Sequence, residues 1–140
     1  MERRRFLLTG CKACAALAVV PSVLALESCG STKGLALAVV NGAVSVPLSE
    51  MGDGRTMVVK AKGLSDDVLL VKQDDGSYSA LSLKCPHKGG PVKPQGNELV
   101  CGWHSSNFDM MGKVQKGPAK TDLTSYPVQV DGGTATIQVG

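Results

Sequence analysis

Two short segments of this sequence hold the side chains best suited to binding a metal. Cys85-Pro86-His87 sets a thiol two residues before an imidazole, and Cys101-Gly102-Trp103-His104 sets one three residues before. These are the only two histidines of the chain. Soft sulfur together with borderline nitrogen suits zinc or an iron–sulfur cluster. Zinc is the generic reading of two Cys and two His, but structural zinc sites usually pair Cys with Cys across a short spacer. Here each pair is mixed. A mixed pair in each loop suits a 2Fe-2S cluster, one iron held by the two thiolates and the other by the two imidazoles. A zinc-stabilised β module stays as the alternative; it would be colourless and redox-silent, so an absorption spectrum separates the two.

The elements that must carry these loops read as strands. The 140 residues are 43% hydrophobic and 19% charged, with 17 Gly and 7 Pro, a balance that excludes a disordered chain and a membrane bundle and leaves room for one small domain. Short apolar or β-branched runs alternate with turn residues, which predicts an all-β fold of antiparallel sheets. Leu35 to Val40 and Ala43 to Leu48 flank Asn41-Gly42, a hairpin signal. Thr56 to Lys62 and Val68 to Gln73 follow, and Asp74-Asp75-Gly76 turns the chain into Ser77 to Leu83. Lys84 to Gly96 reads as loop, Asn97 to Val100 as a short strand, and Cys101 to Asn107 as a second loop. Phe108-Asp109 and Gly112 to Val114 read as extended, and Ser125 to Val130 pairs with Thr134 to Val139 across Asp131-Gly132-Gly133.

With these residues in place, the chain resembles the Rieske family. Cys85-Pro86-His87-Lys88-Gly89-Gly90 and Cys101-Gly102-Trp103-His104 look like its two cluster-binding loops, which form a small subdomain on antiparallel sheets. His104-Ser105-Ser106-Asn107-Phe108-Asp109, followed by Gly112, is similar to the segment after the second family histidine. Gly117-Pro118-Ala119 resembles the family's proline loop, and Tyr126-Pro127-Val128 its closing strand. The resemblance implies one 2Fe-2S cluster per chain, with Cys85 and Cys101 on the inner iron and His87 and His104 on the outer one. It also implies that the hydroxyl of Ser106 bonds a bridging sulfide.

Members from cytochrome bc complexes carry an extra Cys in each loop, joined as a disulfide. Those positions here are Gly90 and Trp103, so that bridge cannot form. Oxygenase-type domains and ferredoxins lack it too. Phe108 stands where high-potential members have a tyrosine that donates to a Cys sulfur. One donor kept and one missing implies a potential between the ferredoxin and bc extremes. Trp103 and Phe108 read as packing residues. Gly89, Gly90 and Gly102 read as the residues that let the loop backbone turn tightly. Lys88 and Lys93 read as solvated charge, with weak docking to an acidic partner as the alternative.

The amino terminus reads as an export signal over residues 1–29. Arg3-Arg4-Arg5 precedes an apolar stretch and resembles a twin-arginine signal. Ala13 to Leu26 falls short of the roughly 20 residues a spanning helix needs. Leu26-Glu27-Ser28-Cys29 resembles a lipobox, which makes Cys29 a candidate lipidation site and the N-terminus a membrane anchor. Cys11 and Cys14 form a C-x-x-C, but inside an apolar leader they lack a folded scaffold to position them for metal or redox chemistry. Residues 30–34 read as a linker and 35–140 as the domain.

Functional expectations follow. From residue 30 onward, eleven Lys or Arg stand against ten Asp or Glu without a basic block, which argues against nucleic acid. The expected role is one-electron transfer in the cell envelope, on the periplasmic side, between redox donor and acceptor proteins. The alternative is the Rieske subunit of a larger quinol- or substrate-oxidising complex. A self-sufficient oxygenase does not fit, because both histidines are already assigned and none is left for a second iron site.

Overall fold

The structure is a computed structural model and describes residues 36–140. The export signal, Cys11, Cys14, Cys29, the linker and Leu35 lie outside the described residues. Among the described residues the only helical element is a 3-10 turn, Leu48–Met51, and no helix is long and apolar enough to cross a membrane.

The chain order is β1 (Leu37–Ala38), β2 (Ala43–Pro47), β3 (Thr56–Val59), β4 (Ala61–Lys62), β5 (Val68–Lys72), β6 (Tyr78–Ser82) and β7 (Val92–Gln95). There follow β8 (Glu98–Cys101), β9 (Asn107–Asp109), β10 (Val114–Lys116), β11 (Ser125–Tyr126), β12 (Val128–Asp131) and β13 (Thr134–Gln138). Three antiparallel sheets result, ordered β12-β13-β2, β11-β6-β5-β3 and β10-β9-β8-β7, beside a two-stranded parallel pair β1-β4.

Strand β5 explains how the sheets stack. Its run Val68-Leu69-Leu70-Val71 is buried throughout, and successive side chains point to opposite faces. Val68 and Leu70 join Val44, Val46, Ala135 and Ile137 in one core, while Leu69 and Val71 join Leu99, Phe108, Cys85 and Cys101 in another. The sheet containing β5 is therefore the middle layer, with the β12-β13-β2 sheet against one face and the loop-bearing sheet against the other. A run apolar on both faces is what a strand sandwiched between two cores requires.

Four strand expectations need correction. The turn at Asn41-Gly42 forms, both residues adopting positive φ (52° and 76°), but its arms part after the Val40–Ala43 bridge. Strand β1 runs parallel to β4 instead, the Val39 N–H donating to the Lys62 carbonyl at 2.9 Å, while β2 pairs along its other edge with β13 from Ala43 to Pro47. The expected strand Thr56 to Lys62 divides at Lys60, β3 pairing with β5 and β4 with β1. Ser125 to Val130 divides at Pro127, which has no N–H to continue a ladder; β11 stays with β6 and β12 crosses to β13. The region expected as loop up to Gly96 contains β7, paired with β8. Elsewhere the turn signals hold: Gly76 (φ 84°) closes β5 to β6, and Gly132 and Gly133 (φ 53° and 78°) close β12 to β13.

Candidate metal centre

The β7-β8 hairpin brings the two loops to one end of their sheet. Its register pairs Val92 with Cys101, so the residue that opens the second loop lies opposite the strand that leaves the first. The Gly102 N–H donates to the Pro91 carbonyl at 2.9 Å and fastens one loop to the other.

Each loop is closed in the same way. The Cys85 N–H donates to the Gly90 carbonyl at 2.8 Å, and the Cys85 carbonyl accepts from the Gly89 N–H at 2.8 Å. The Cys101 N–H donates to the Ser106 carbonyl at 2.9 Å, and the Cys101 carbonyl accepts from the Ser105 N–H at 3.1 Å. Cysteine thus sits at the first position of a six-residue loop in both cases, and the fifth residue has positive φ: Gly89 at 75° and Ser105 at 57°. Glycine enters that region freely, whereas a serine there carries a cost of about 1–2 kcal/mol. Neither the shared closure nor the strained Ser105 was read from the sequence, although the equal spacing of cysteine and fifth residue in both loops was the available signal.

The donor atoms are graded in depth. Cys85 and Cys101 are free thiols 1% and 2% exposed, embedded in the core beneath the loops. His87 is half-buried and His104 exposed, and their rings meet edge to face with centroids 5.0 Å apart. The Nδ1 of His87 is buried without a hydrogen-bond partner among the described residues. Burial pushes the Cys101 thiol up, but the backbone N–H groups of Trp103 and His104 and the Cys85 side chain outweigh it and hold the group below its ordinary value. A thiol so placed is prepared to act as thiolate. Among the described residues, no three His, Cys, Asp or Glu side chains converge on one ion position. Two thiols below and two imidazoles above suit a ligand with two separate metal atoms better than a single zinc ion.

Comparison with known proteins decides the family. The Rieske [2Fe-2S] domain profile matches residues 43–127. The chain belongs to the Rieske family. As a Rieske domain it binds one 2Fe-2S cluster and transfers electrons, and its donor set fits that group: two buried thiols, two adjacent imidazoles and an unpartnered ring nitrogen.

This Rieske domain is 25% identical over 103 residues to the cytochrome b6-f complex iron-sulfur subunit of Chlorobaculum tepidum, covering 72% of the chain and 55% of that subunit. It is 28% identical over 88 residues to the ferredoxin component of the p-cumate 2,3-dioxygenase system of Pseudomonas putida, covering 59% of the chain and 75% of the ferredoxin. In structure it resembles the plasma membrane Rieske protein of Synechocystis, with TM-score 0.57 and 27% identity over 71% of this chain and 98% of that one. The chain spans about half the length of the b6-f subunits it matches.

The positions that carry a disulfide in bc-type members are occupied here by a packing contact. A Cβ on Gly90 would lie 2.8 Å from Cδ2 and 2.9 Å from Cγ of Trp103, and 3.0 Å from the Cys101 sulfur. The indole therefore rests directly on the Gly90 backbone while its outer side faces solvent, the residue being 59% exposed. Phe108 behaves as the packing residue expected, 0% exposed between β8 and β10. Ser106 is equally buried, and its Oγ accepts from the Ala119 N–H at 2.9 Å, tying the proline loop to the second cysteine loop.

Gly90→Ala tests the contact. The sulfur beside Gly90 is fixed by the core, so the exposed indole must swing outward. Fluorescence of Trp103, the chain's single tryptophan, is expected to shift to the red, and the as-purified iron content to fall. Unchanged emission and iron would show that the indole does not rest on Gly90.

Proposed function

We propose that this Rieske domain is an exported, membrane-tethered one-electron carrier in which Cys85 and Cys101 hold the inner iron and His87 and His104 the outer one. The observation that carries the reading is the depth gradient: thiols in the core, imidazoles at the surface. When bound, the cluster supplies reversible uptake of a single electron. The chain contributes the rest. Its core keeps water from the thiolate side, the N–H groups of Trp103 and His104 favour the charged form of Cys101, and exposed His104 offers a partner a short route. Reversible one-electron voltammetry of the purified protein, with two irons and two sulfides per chain, is the expected result; a single zinc without sulfide would overturn the reading.

Ser106 tunes the centre in this proposal. Its oxygen already accepts from Ala119, so its own proton is left to donate, and the bridging sulfide is the intended acceptor. Ser106→Ala is expected to lower the reduction potential, because a donor that stabilises the added electron is lost. It also leaves the Ala119 N–H without its partner, at a cost of about 1–3 kcal/mol. Destabilisation with an unchanged potential would reduce Ser106 to a structural strut.

Export and attachment rest on the arginines, the short apolar run and Cys29. Cys29→Ala is expected to leave cluster assembly intact while moving the protein to the soluble fraction or stalling its processing. Normal processing with wild-type membrane retention would set the lipid anchor aside.

The second reading, a subunit of a quinol- or substrate-oxidising complex, is favoured by the likeness to b6-f iron-sulfur subunits over 72% of this chain. A stable catalytic partner recovered after mild solubilisation would select it.

A further inference from the structure

The charges of the domain are separated along the chain. Residues 84–120 carry Lys84, Lys88, Lys93, Lys113, Lys116 and Lys120 against Glu98 and Asp109, an excess of four positive charges. The remaining described residues carry four cations, Arg55, Lys60, Lys62 and Lys72, against eight carboxylates. The two sets cancel, so the described domain is neutral overall.

Three of the lysines lie on segments that join or flank the two imidazole-bearing loops. Lys88 is the neighbour of His87 in the first loop. Lys116 pairs across the sheet with Asn107, which leaves the second loop, and Lys120 follows Ala119, whose N–H is bonded to Ser106 in that loop. All three are exposed and make no ion pair with a described residue, whereas Lys84 and Lys113 are paired with Asp66 and Asp122. At the same end Trp103 exposes an indole face. An aromatic patch rimmed by unpaired charge of one sign is the anatomy of a transient interface steered by the opposite charge.

We propose that the end of the domain bearing His87 and His104 is a cationic docking face for an acidic one-electron redox protein, with Trp103 as its apolar contact and Lys88, Lys116 and Lys120 as its steering charges. The proposal rests on the cluster reading above. An anionic membrane would also attract lysines, but these lie on the segments next to the imidazole loops, through which electrons must pass, which favours a redox partner over lipid.

The test uses full-length holoprotein whose iron, sulfide and visible spectrum are established first; without a cluster the functional reading fails before docking is addressed. Stopped-flow oxidation of the reduced protein is then followed from low salt to about 0.3 M, where the Debye length falls to about 6 Å and long-range steering is largely screened. With anionic ferricyanide the rate is expected to fall several-fold as salt rises, and with cationic tris(phenanthroline)cobalt(III) to rise. A protein sensed as neutral would give flat responses to both. An acidic c-type cytochrome is expected to oxidise the protein about tenfold faster at low salt than a basic one, within the range of electrostatic steering. Lys88→Glu with Lys116→Glu and Lys120→Glu should reverse both the slopes and the preference, while Lys62→Glu with Lys72→Glu keeps their direction. Slopes that ignore the first set of substitutions would overturn the proposal. So would lysine-dependent binding to phosphatidylglycerol vesicles with no preference between the cytochromes.

Discussion

Replacing His87 or His104 by serine is expected to abolish the Rieske-type paramagnetic signal of the reduced protein and to strip most of its iron. The chain holds no third histidine to substitute for either. The two ring centroids lie 5.0 Å apart, and the buried Nδ1 of His87 has no partner among the described residues, so removal of one ring opens the other's surroundings to water. A serine oxygen donates differently from imidazole, and any surviving cluster should leave the Rieske range of roughly −150 to +300 mV. Paramagnetic resonance with iron and sulfide analysis provides the check. Circular dichroism should show that the strands persist, because the core around Val44, Leu70 and Ile137 contains neither histidine. An unaltered signal in both variants would contradict histidine ligation.

Phe108→Ala is expected to cost about 3–5 kcal/mol, the usual loss for truncating a buried aromatic side chain. Phe108 is 0% exposed, pairs with Leu99 on one side and Val114 on the other, and shares its core with both site cysteines. Since small domains have only about 5–15 kcal/mol of stability in all, urea unfolding should shift strongly toward lower denaturant, with cluster loss preceding global unfolding. Val130→Ala, at a side chain 48% exposed, is the control and should change stability by less than about 0.5 kcal/mol. A loss below about 1 kcal/mol for Phe108→Ala would mean that the ring is not a keystone of the core beneath the loops.

The local chemistry of this chain was legible without coordinates. Asn41-Gly42, Asp74-Asp75-Gly76 and Asp131-Gly132-Gly133 turn where their composition says, because positive φ is a property of single residues. Pairing partners were not. Leu37–Ala38 has an ideal turn beside it, yet it pairs with Ala61–Lys62, a partner distant in the chain that no local signal names. Strand β7 escaped notice because Val92-Lys93-Pro94-Gln95 buries only its first residue, leaving no alternation to read. Pro127 signals a break, but not that the chain changes sheets there.

The amino-acid sequence by itself determined the family, the cofactor class and the four candidate ligands, because a candidate ligand is named by residue type and by spacing within two six-residue loops. Tertiary structure decided how those atoms are presented. Pairing of Val92 with Cys101 set both loops at one end of a sheet, and the shared core sank the thiols while leaving the imidazoles at the surface. It also laid the Trp103 indole on Gly90 and joined the segments that carry Lys116 and Lys120 to the second cysteine loop. Burial and field depend on neighbours brought in from distant parts of the chain, and those neighbours exist only once the sheets have paired.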